Sequence, residues 1–240
     1  MRKLHADADR TGQAADDWRS GGDEILAIRP NARQLVFAAA PAALVGLWLA
    51  MMVGGTGPLD HQLLDALYAA DRPGIRELVI AVTNLGEWVP LVLLTLLGAG
   101  GLLYRRKGRL AAILVATTLA GRLLVELQKF GVGRLRPEDP VHRVVVKTLS
   151  FPSGHAGNSM IVFLSLALLA APRRFQRLAV AAAVIGAAVI GVTRPMLGVH
   201  WPSDVVGGWA FGAAWVLLML RLAERLEQAD TADDHKGRGQ

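Results

Sequence analysis

Three short segments of the chain carry charged and polar residues whose types and spacing suit phosphate chemistry. Phosphoryl transfer needs cations around the phosphate oxygens, a nucleophile in line with the leaving group, and an acid for the leaving oxygen. Lysine and arginine supply the cations, and histidine supplies the nucleophile and the acid. The segments are Lys129 with Arg136, the Pro-Ser-Gly-His run at residues 152–155, and Arg194 with His200 and Asp204.

His200 is the candidate nucleophile. Asp204 follows it by four residues, a spacing that lets the carboxylate bond one ring nitrogen and leaves the other facing phosphorus. The carboxylate then fixes the tautomer and stabilises the positive charge that develops on attack. His155 comes from another segment and is the candidate group for protonating the leaving oxygen and then activating water. We therefore predict His200, His155 and Asp204 as the catalytic residues.

The remaining residues of the three segments suit the binding of the phosphate itself. Arg136 and Arg194 present forked guanidinium groups that match phosphate geometry, and Lys129 adds a third fixed charge. Ser153 and Gly154 come directly before a predicted helix, where unpaired N–H groups and the positive dipole end favour an anion. Gly154 also allows the backbone to approach closely. These five residues are the predicted phosphate-binding set.

Simpler roles for the same residue types are the alternatives. A lone histidine at a helix entrance is usually structural, and an arginine near a membrane boundary is usually an anchor. The anchor role suits Arg143 and Lys147, and it competes evenly with phosphate binding at Arg134. A metal site formed by the three catalytic candidates lacks support from a His-x3-His or Glu-x2-His pair. The chain also has no cysteine, so we expect no metal and no other cofactor.

The elements that position these segments are predicted to be membrane helices. Hydrophobic residues make up 52% of the 240 residues and charged residues 19%, below the roughly 25% of an ordinary soluble domain. Six apolar runs recur, each long enough for a helix that nearly crosses a hydrocarbon core. Helix is the form that satisfies every backbone group of such a run in lipid. The runs are residues 35–53, 88–104, 110–128, 155–171, 178–193 and 205–222.

The predicted fold class is therefore all-α, a bundle of six transmembrane helices. Residues 59–83 mix charged residues with apolar ones at helical spacing, which predicts short interfacial helices in the first outer loop, with a break at Pro73-Gly74. Residues 1–34 are predicted to be a mobile cytoplasmic segment and residues 35–222 the membrane domain. Residues 223–240 are predicted to be a disordered cytoplasmic tail.

Loop charges predict the orientation of the bundle. The net charge is +6, and the basic residues cluster at the ends of apolar runs, which indicates membrane orientation rather than nucleic-acid binding. The basic loops at residues 105–109, 173–177 and 221–225 are assigned to the cytoplasm with both termini. The three polar segments then lie together at the outer face. Short loops outside the cytoplasm usually carry few basic residues. The basic residues between positions 129 and 147 are an exception to this rule, and an anionic ligand would account for them.

In this order the three segments resemble the signature of the type 2 phosphatidic acid phosphatase superfamily, which also includes bacterial acid phosphatases and vanadium haloperoxidases. The resemblance covers about residues 129–204, and the six-span layout extends it to about residues 35–222. It departs from the family pattern at Thr193, where serine is usual. The resemblance implies the same assignment of roles, with a phosphohistidine intermediate on His200 and no metal.

These observations predict an integral membrane lipid phosphatase of the plasma (inner) membrane, with its site on the periplasmic side. The expected partners are a lipid phosphate and the bilayer, and no nucleic acid. The expected substrate is a lipid phosphomonoester or diphosphate of the undecaprenyl diphosphate, phosphatidylglycerol phosphate or phosphatidic acid type. The alternatives are a lipid A phosphatase or a phosphotransferase on the same site, and a non-enzymatic membrane protein that binds anions or lipids.

Two charged residues fall inside the third predicted span. Arg122 and Glu126 are four residues apart and share one helix face. Charges at that depth face a partner or a cavity. We expect a mutual ion pair that orients Lys129, with direct contact to the substrate as the alternative.

Overall fold

The structure is a computed structural model that describes residues 30–138 and 148–237, with side chains over residues 39–138 and 148–225. Every regular element in these ranges is helical, which confirms the all-α prediction. Contacts divide the chain into a unit ending at Ala40, described only as the start of a helix, and a unit from Pro41 onwards. Residues 1–29 of the predicted N-terminal segment, and Arg143 and Lys147, lie outside the described residues.

The described helices follow the predicted apolar runs closely. A 3₁₀ turn, Arg173–Phe175, comes before α7. The last helix continues to Gly237, through residues that we expected to form a disordered tail. The domain boundaries at residues 34 and 222 stay predictions. The helices are α1 (Pro30–Gly54), α2 (Pro58–Leu67), α3 (Pro73–Asn84), α4 (Trp88–Tyr104), α5 (Gly108–Val132), α6 (Gly154–Leu169), α7 (Gln176–Met196) and α8 (Pro202–Gly237).

Three helical segments are long and apolar enough to cross a membrane: Gly108–Val132, Arg173–Met196 and Pro202–Arg225. Two bent helix pairs bring the number to five if each pair counts as one span. In these pairs α1 meets α2 at 95°, and α3 meets α4 at 42°. Helix α6 is apolar but has only 16 residues. The count of six spans and the interfacial position of α2 and α3 stay predictions.

Local sequence accounts for the sharp bend between α1 and α2. Thr56 adopts a left-handed conformation with φ +68°, and Pro58 begins α2. Because proline lacks an N–H and cannot continue a preceding helix, it marks the start of a new one. Pro73 has the same position at the start of α3, where the sequence predicts a break. Residues 59–83 therefore form two short helices.

Helix α6 packs against α4, α5, α7 and α8. Its contact with α8 depends on a position that has no room for a side chain. A Cβ atom added to Gly208 would lie 2.8 Å from the carbonyl oxygen of Ser153 and 3.0 Å from the nitrogen of Gly157. Glycine thus lets the two backbones approach closely, as small residues do in membrane helix pairs. This packing brings the first turn of α6 next to the first turns of α8.

Candidate active site

The three sequence segments meet around a cavity of about 240 Å³. Ser153 and Asp204 are the two predicted site residues that do not line it, and both are fully buried. Within the two described ranges, no group of three or more histidine, aspartate or glutamate side chains is arranged to hold a metal ion. The predicted residues that line the cavity are Lys129, Arg136, Gly154, His155, Arg194 and His200.

His200 and Asp204 form a buried pair at the start of α8. The Nδ1 atom of His200 lies 3.3 Å from Asp204 Oδ2, and the two side chains are 2% and 0% exposed. Because an ionised carboxylate only accepts hydrogen bonds, we assign the ring proton to Nδ1 and the free electron pair to Nε2. This is the arrangement that a nucleophilic imidazole requires.

Burial and charge keep the imidazole of His200 neutral. Burial lowers the pKa of His200 well below its ordinary value of 6.5, and the nearby cations Arg136, Arg194 and Lys129 lower it further. The protonated ring would lose its solvation, and the positive neighbours would repel it. The ring therefore carries an unprotonated nitrogen at neutral pH.

Asp204 accepts hydrogen bonds on both carboxylate oxygens. Besides His200, Oδ2 accepts from the Ser150 hydroxyl and from the backbone N–H of Trp201, the latter at 2.9 Å. Oδ1 accepts from Arg134 Nη1 at 2.8 Å. These donors fix the orientation of the carboxylate, and through it the ring of His200.

Arg134 has neither of the two roles that the sequence left open for it. Its side chain is 8% exposed, and it does not line the cavity. Besides Asp204, it donates to the Ser203 hydroxyl at 3.0 Å and to the carbonyl oxygens of Met51 and Met52 at 2.8 and 2.7 Å. The guanidinium thus binds protein acceptors and supports Asp204.

Asp60 of α2 extends this support and was not predicted from the sequence. It is buried, and its carboxylate accepts from the backbone N–H of Ser203 at 2.9 Å and from the Ser203 hydroxyl. The backbone N–H of Thr56 donates to it as well, at 2.6 Å. The sequence shows Asp60 as an acidic residue in a short amphipathic helix. That pattern does not distinguish a buried carboxylate that accepts hydrogen bonds from a solvated one.

Neighbouring groups fix the positions of Arg136 and Lys129. Arg136 donates from Nε to the carbonyl of Thr148 at 2.7 Å, and from Nη1 to the carbonyl of Val199, the residue before the candidate nucleophile. Lys129 Nζ lies 3.1 Å from Glu126 Oε1 and 3.4 Å from the Thr148 hydroxyl. Both cations are therefore oriented before any ligand is bound.

Arg194 lies in the last turn of α7 and is 5% exposed. Its Nη1 donates to the Thr83 hydroxyl at 2.8 Å, whereas its buried Nε has no hydrogen-bond partner in the described part of the chain. The preceding Thr193, where the sequence departs from the family pattern, donates its hydroxyl proton to the carbonyl of Ile190 in the same helix. The proton of Thr193 is thus directed away from the cavity that Arg194 lines.

The remaining predicted residues, Ser153, Gly154 and His155, lie at the start of α6. Ser153 is the N-cap residue, and its backbone N–H donates to the carbonyl of Asp204 at 3.0 Å. The buried hydroxyl of Ser153 has no partner among the described residues. His155 Nε2 lies 3.3 Å from Glu87 Oε1 without hydrogen-bond geometry. Glu87 is therefore the acidic side chain next to His155, without a hydrogen bond to it.

A second, apolar cavity of about 120 Å³ lies between α4, α5 and α6. Most of its wall consists of leucine, valine and isoleucine side chains. Trp88, Arg122 and Asn158 line both cavities, so the apolar cavity adjoins the polar one. This arrangement suits a ligand with a charged head and an apolar chain.

Comparisons with known proteins identify relatives of this chain. Residues 110–228, which include all three segments, match the PAP2 superfamily. Phosphatidylglycerophosphatase B of Bacillus subtilis is 28% identical over 177 residues, which are 70% of this chain and 85% of that protein. Lipid A 1-phosphatase of Rhizobium etli is 33% identical over 187 residues, which are 67% of this chain and 77% of that protein.

A solved structure has the same fold. It is the crystal structure of the first transmembrane PAP2 type phosphatidylglycerolphosphate phosphatase from Bacillus subtilis, with a TM-score of 0.71 and 26% sequence identity. The match covers 78% of this chain and 96% of that protein. The described helices, the three segments and these relatives lead to one conclusion: this membrane protein belongs to the PAP2 superfamily, as an enzyme of its phosphatase branch.

Proposed function

We propose that this enzyme hydrolyses a lipid phosphomonoester or a lipid diphosphate at the outer leaflet, through a phosphohistidine intermediate on His200. The observation that carries the proposal is the neutral, buried His200 held by Asp204 on the wall of a cavity that three fixed cations also line. A nucleophile with an unprotonated nitrogen, beside a site that attracts anions, is what phosphoryl transfer through a covalent intermediate requires.

In the first step, Nε2 of His200 attacks phosphorus, and a P–N bond forms as the bond from phosphorus to the leaving oxygen breaks. The leaving oxygen keeps the electron pair and takes a proton from His155, which enters this step as the imidazolium, stabilised by the negative substrate and by Glu87 3.3 Å away. Asp204 stabilises the positive charge that develops on the His200 ring through its contact with Nδ1, 3.3 Å away. The dephosphorylated lipid then departs, with its phosphoryl group left on the enzyme.

In the second step, water attacks the phosphoryl group and gives its proton to His155. The P–N bond breaks, and its electron pair returns to Nε2. Inorganic phosphate is released, and both histidines regain their starting protonation. Glu87, 3.3 Å from His155 Nε2, is positioned to share the proton that His155 gives up and takes back.

The phosphate oxygens would be bound by Lys129, Arg136 and Arg194, with the N-terminus of α6 at Gly154. Gly154 supports this because a Cβ atom there would already lie 3.5 Å from Lys129 Nζ, so a larger side chain would occupy space next to the cation. Ser153 would act indirectly, because it does not line the cavity and its backbone N–H is bound to the Asp204 carbonyl, which holds the start of α6 in place. The unpartnered Nε of Arg194 is a donor available to the anion.

The apolar cavity next to the polar one supports a lipid as the substrate. A phosphate held by the three cations would have its substituent directed past Trp88 and Asn158 towards leucine and valine side chains. We propose an isoprenoid diphosphate of the undecaprenyl diphosphate type or a phosphatidyl head group such as phosphatidylglycerol phosphate or phosphatidic acid. The relatives named above act on lipids of the second kind and on lipid A.

We further propose six spans, with the short α6 as one of them and with α2 and α3 at the membrane interface. The loop charges support an orientation with both termini in the cytoplasm and the cavity on the periplasmic side. In this arrangement the membrane domain covers residues 35–222. A reporter attached at residue 240 would be cytoplasmic, and a cysteine introduced at the exposed Leu135 would react with an impermeant reagent from outside.

The decisive experiment measures inorganic phosphate released by purified full-length protein from lipid monophosphates and lipid diphosphates in mixed micelles. We expect release by the wild type without an added acceptor. We expect none above background by His200→Ala, because the nucleophile is missing. His61→Ala is the matched control, since His61 is exposed and outside the cavity.

The covalent intermediate is tested separately by rapid acid-free quench of the enzyme with a lipid carrying labelled phosphorus. We expect label on the wild type that is stable in base and lost in acid, as a phosphoramidate is. His155→Ala should accumulate the label if its second role is to activate water. Full turnover by His200→Gln would remove His200 from the mechanism and with it the proposal.

A further inference from the structure

Arg122 in α5 is the cation on the cavity wall that the proposed catalytic roles leave unused. The sequence predicts that it pairs with Glu126, and this prediction is wrong. Both carboxylate oxygens of Glu126 lie against Lys129 Nζ, at 3.1 and 3.2 Å. Arg122 makes no hydrogen bond or ion pair with any residue that the structure describes. Glu126 is three residues from Lys129 and four residues from Arg122, so both cations are within reach along the helix. The carboxylate binds Lys129.

The position of Arg122 defines what it can bind. It lines the polar cavity together with Lys129 and His200, and it also lines the apolar cavity together with Leu91 and Ile161. Along α5 it lies seven residues before Lys129, which is about 10 Å at 1.5 Å per residue. Arg122 therefore lies between the phosphate-binding cations and the apolar wall.

The energetics of this position call for an anion. A charged side chain within a membrane helix is costly unless it faces a partner, a cavity or water. Arg122 is half-buried and faces the cavities without a partner among the described residues. Asn158 lines the same junction and is 8% exposed. Its unpartnered amide oxygen is an acceptor that needs a donor such as water, so Arg122 is the group at this junction that is left for an anion.

We propose that Arg122 binds a second anionic group of the substrate, located between the phosphate that is removed and the lipid tail. It would therefore favour lipid diphosphates over lipid monophosphates. The inference rests on the proposed function and names the substrate class of that same site. The outer phosphate of the diphosphate occupies the site of Lys129, Arg136 and Arg194, and the inner phosphate lies against Arg122. The lipid chain then continues into the apolar cavity.

The same contact assists the reaction. When the bond between the outer phosphorus and the bridging oxygen breaks, the electron pair stays on the bridging oxygen, which remains part of the inner phosphate. Arg122 stabilises the negative charge that develops on the inner phosphate as this bond breaks, and His155 then protonates the bridging oxygen. With a lipid monophosphate the corresponding group is an uncharged alcohol, so Arg122 has no charge to stabilise.

The test compares two substrates with one tail, farnesyl diphosphate and farnesyl monophosphate, under four enzymes: wild type, Arg122→Gln, Arg122→Lys and Arg177→Gln. Arg177 is an exposed arginine at the far end of α7 and serves as the matched control. We expect Arg122→Gln to lower kcat/KM for the diphosphate by about 10- to 100-fold more than for the monophosphate, the range for a lost charged hydrogen bond. Arg122→Lys should lose less of the preference because it keeps the charge.

The outcomes separate this inference from the function beneath it. If the wild type releases phosphate but Arg122→Gln loses activity equally on both substrates, or on neither, Arg122 does not select diphosphates and the proposed function stands. If the wild type releases phosphate from no lipid, both fail. If Arg122→Gln does not fold, the uncharged Arg122→Met takes its place, and an unchanged ratio of the two kcat/KM values in that variant overturns the inference.

Discussion

Two regions around the nucleophile use buried polar groups in opposite ways. The supporting cluster, formed by Arg134, Ser150, Ser203 and Asp60 around Asp204, consists of side chains whose donors and acceptors are bound to protein. The cavity wall, formed by the residues that line the polar cavity, keeps donors and acceptors without partners. Arg134 binds four protein acceptors, whereas Arg194 has an unpartnered Nε.

The difference distinguishes the region whose polar groups are satisfied by the protein from the region whose polar groups need a ligand. An unsatisfied buried polar atom costs about 1–3 kcal/mol, so such atoms are few in stable proteins and concentrate where something else satisfies them. The supporting cluster holds His200 in one orientation without help from the substrate. The cavity wall acquires its missing partners when an anion binds.

The largest expected effect comes from Asp204→Asn, which changes the centre of the supporting cluster. The amide keeps the shape but is no longer an anion that accepts from His200 Nδ1 and Arg134 together. We expect kcat to fall by about 10³- to 10⁴-fold, as it does when the wrong histidine tautomer is selected, with little change in KM. Steady-state kinetics on one lipid phosphate measure both. A raised KM at an unchanged kcat would place Asp204 in substrate binding instead.

Arg194→Gln tests the cavity wall and is expected to have the next largest effect. Loss of a preorganised donor to the phosphate should lower kcat/KM by about 10²- to 10³-fold. Thermal stability in detergent should change little, because Arg194 has only one hydrogen-bond partner, Thr83, in the described chain. A variant that retains activity but unfolds readily would contradict the comparison, since it would give Arg194 the role of a supporting residue.

Arg134→Gln gives the opposite pattern. It leaves the buried Asp204 carboxylate without its ion-pair partner at 2.8 Å, and breaking such a buried pair typically costs about 3–5 kcal/mol. We expect a clear drop in the unfolding temperature, and a fall in kcat with KM almost unchanged in the protein that remains folded. Thermal unfolding followed by circular dichroism, paired with kinetics, measures both. A rise in KM with normal stability would instead make Arg134 a phosphate ligand.

The smallest effect concerns the protonation of His200. Since burial and three cations lower its pKa below 6.5, the ring should stay neutral as the pH falls through 6.5, and protonation should remove the nucleophile only below that value. NMR of ¹⁵N-histidine-labelled protein, assigned with His200→Gln, follows the ring directly. Removing one cation in Arg194→Gln should raise the pKa towards its ordinary value. A ring that titrates at or above 6.5 in the wild type would show that the site is more solvated than described.

Hydropathy predicted most of the helices, and motif spacing predicted six of the thirteen residues that line the polar cavity. The predicted run at residues 88–104 coincides with α4, because an uninterrupted apolar run between Glu87 and Arg105 has one low-energy form in lipid. The four-residue spacing of His200 and Asp204 predicted their contact, since His200 lies two residues before α8 and Asp204 lies in its first turn. Lys129 and Arg136 were recognisable because positive charge on the predicted outer side required a local cause, and Arg194 because it shares a short segment with His200 and Asp204.

The supporting cluster was beyond prediction because its contacts join distant parts of the chain. Arg134 and Asp204 are 70 residues apart, and Asp60 and Ser203 are 143 residues apart. No local pattern records such a distance. The ion pair expected between Arg122 and Glu126 failed for a related reason: several helix spacings were allowed, and Lys129 at the other spacing bound the carboxylate.

The bond from the Ser153 N–H to the Asp204 carbonyl has a thermodynamic consequence. Together with the glycine contact between α6 and α8, it joins the anion-binding helix end and the nucleophile's support into one rigid piece. The entropy of aligning these groups is therefore lost when the polypeptide folds and not at each turnover. The part of the cavity wall that can adjust to different lipids is then the bent junction of α3 and α4. Glu87 and Trp88 lie there and are about half exposed.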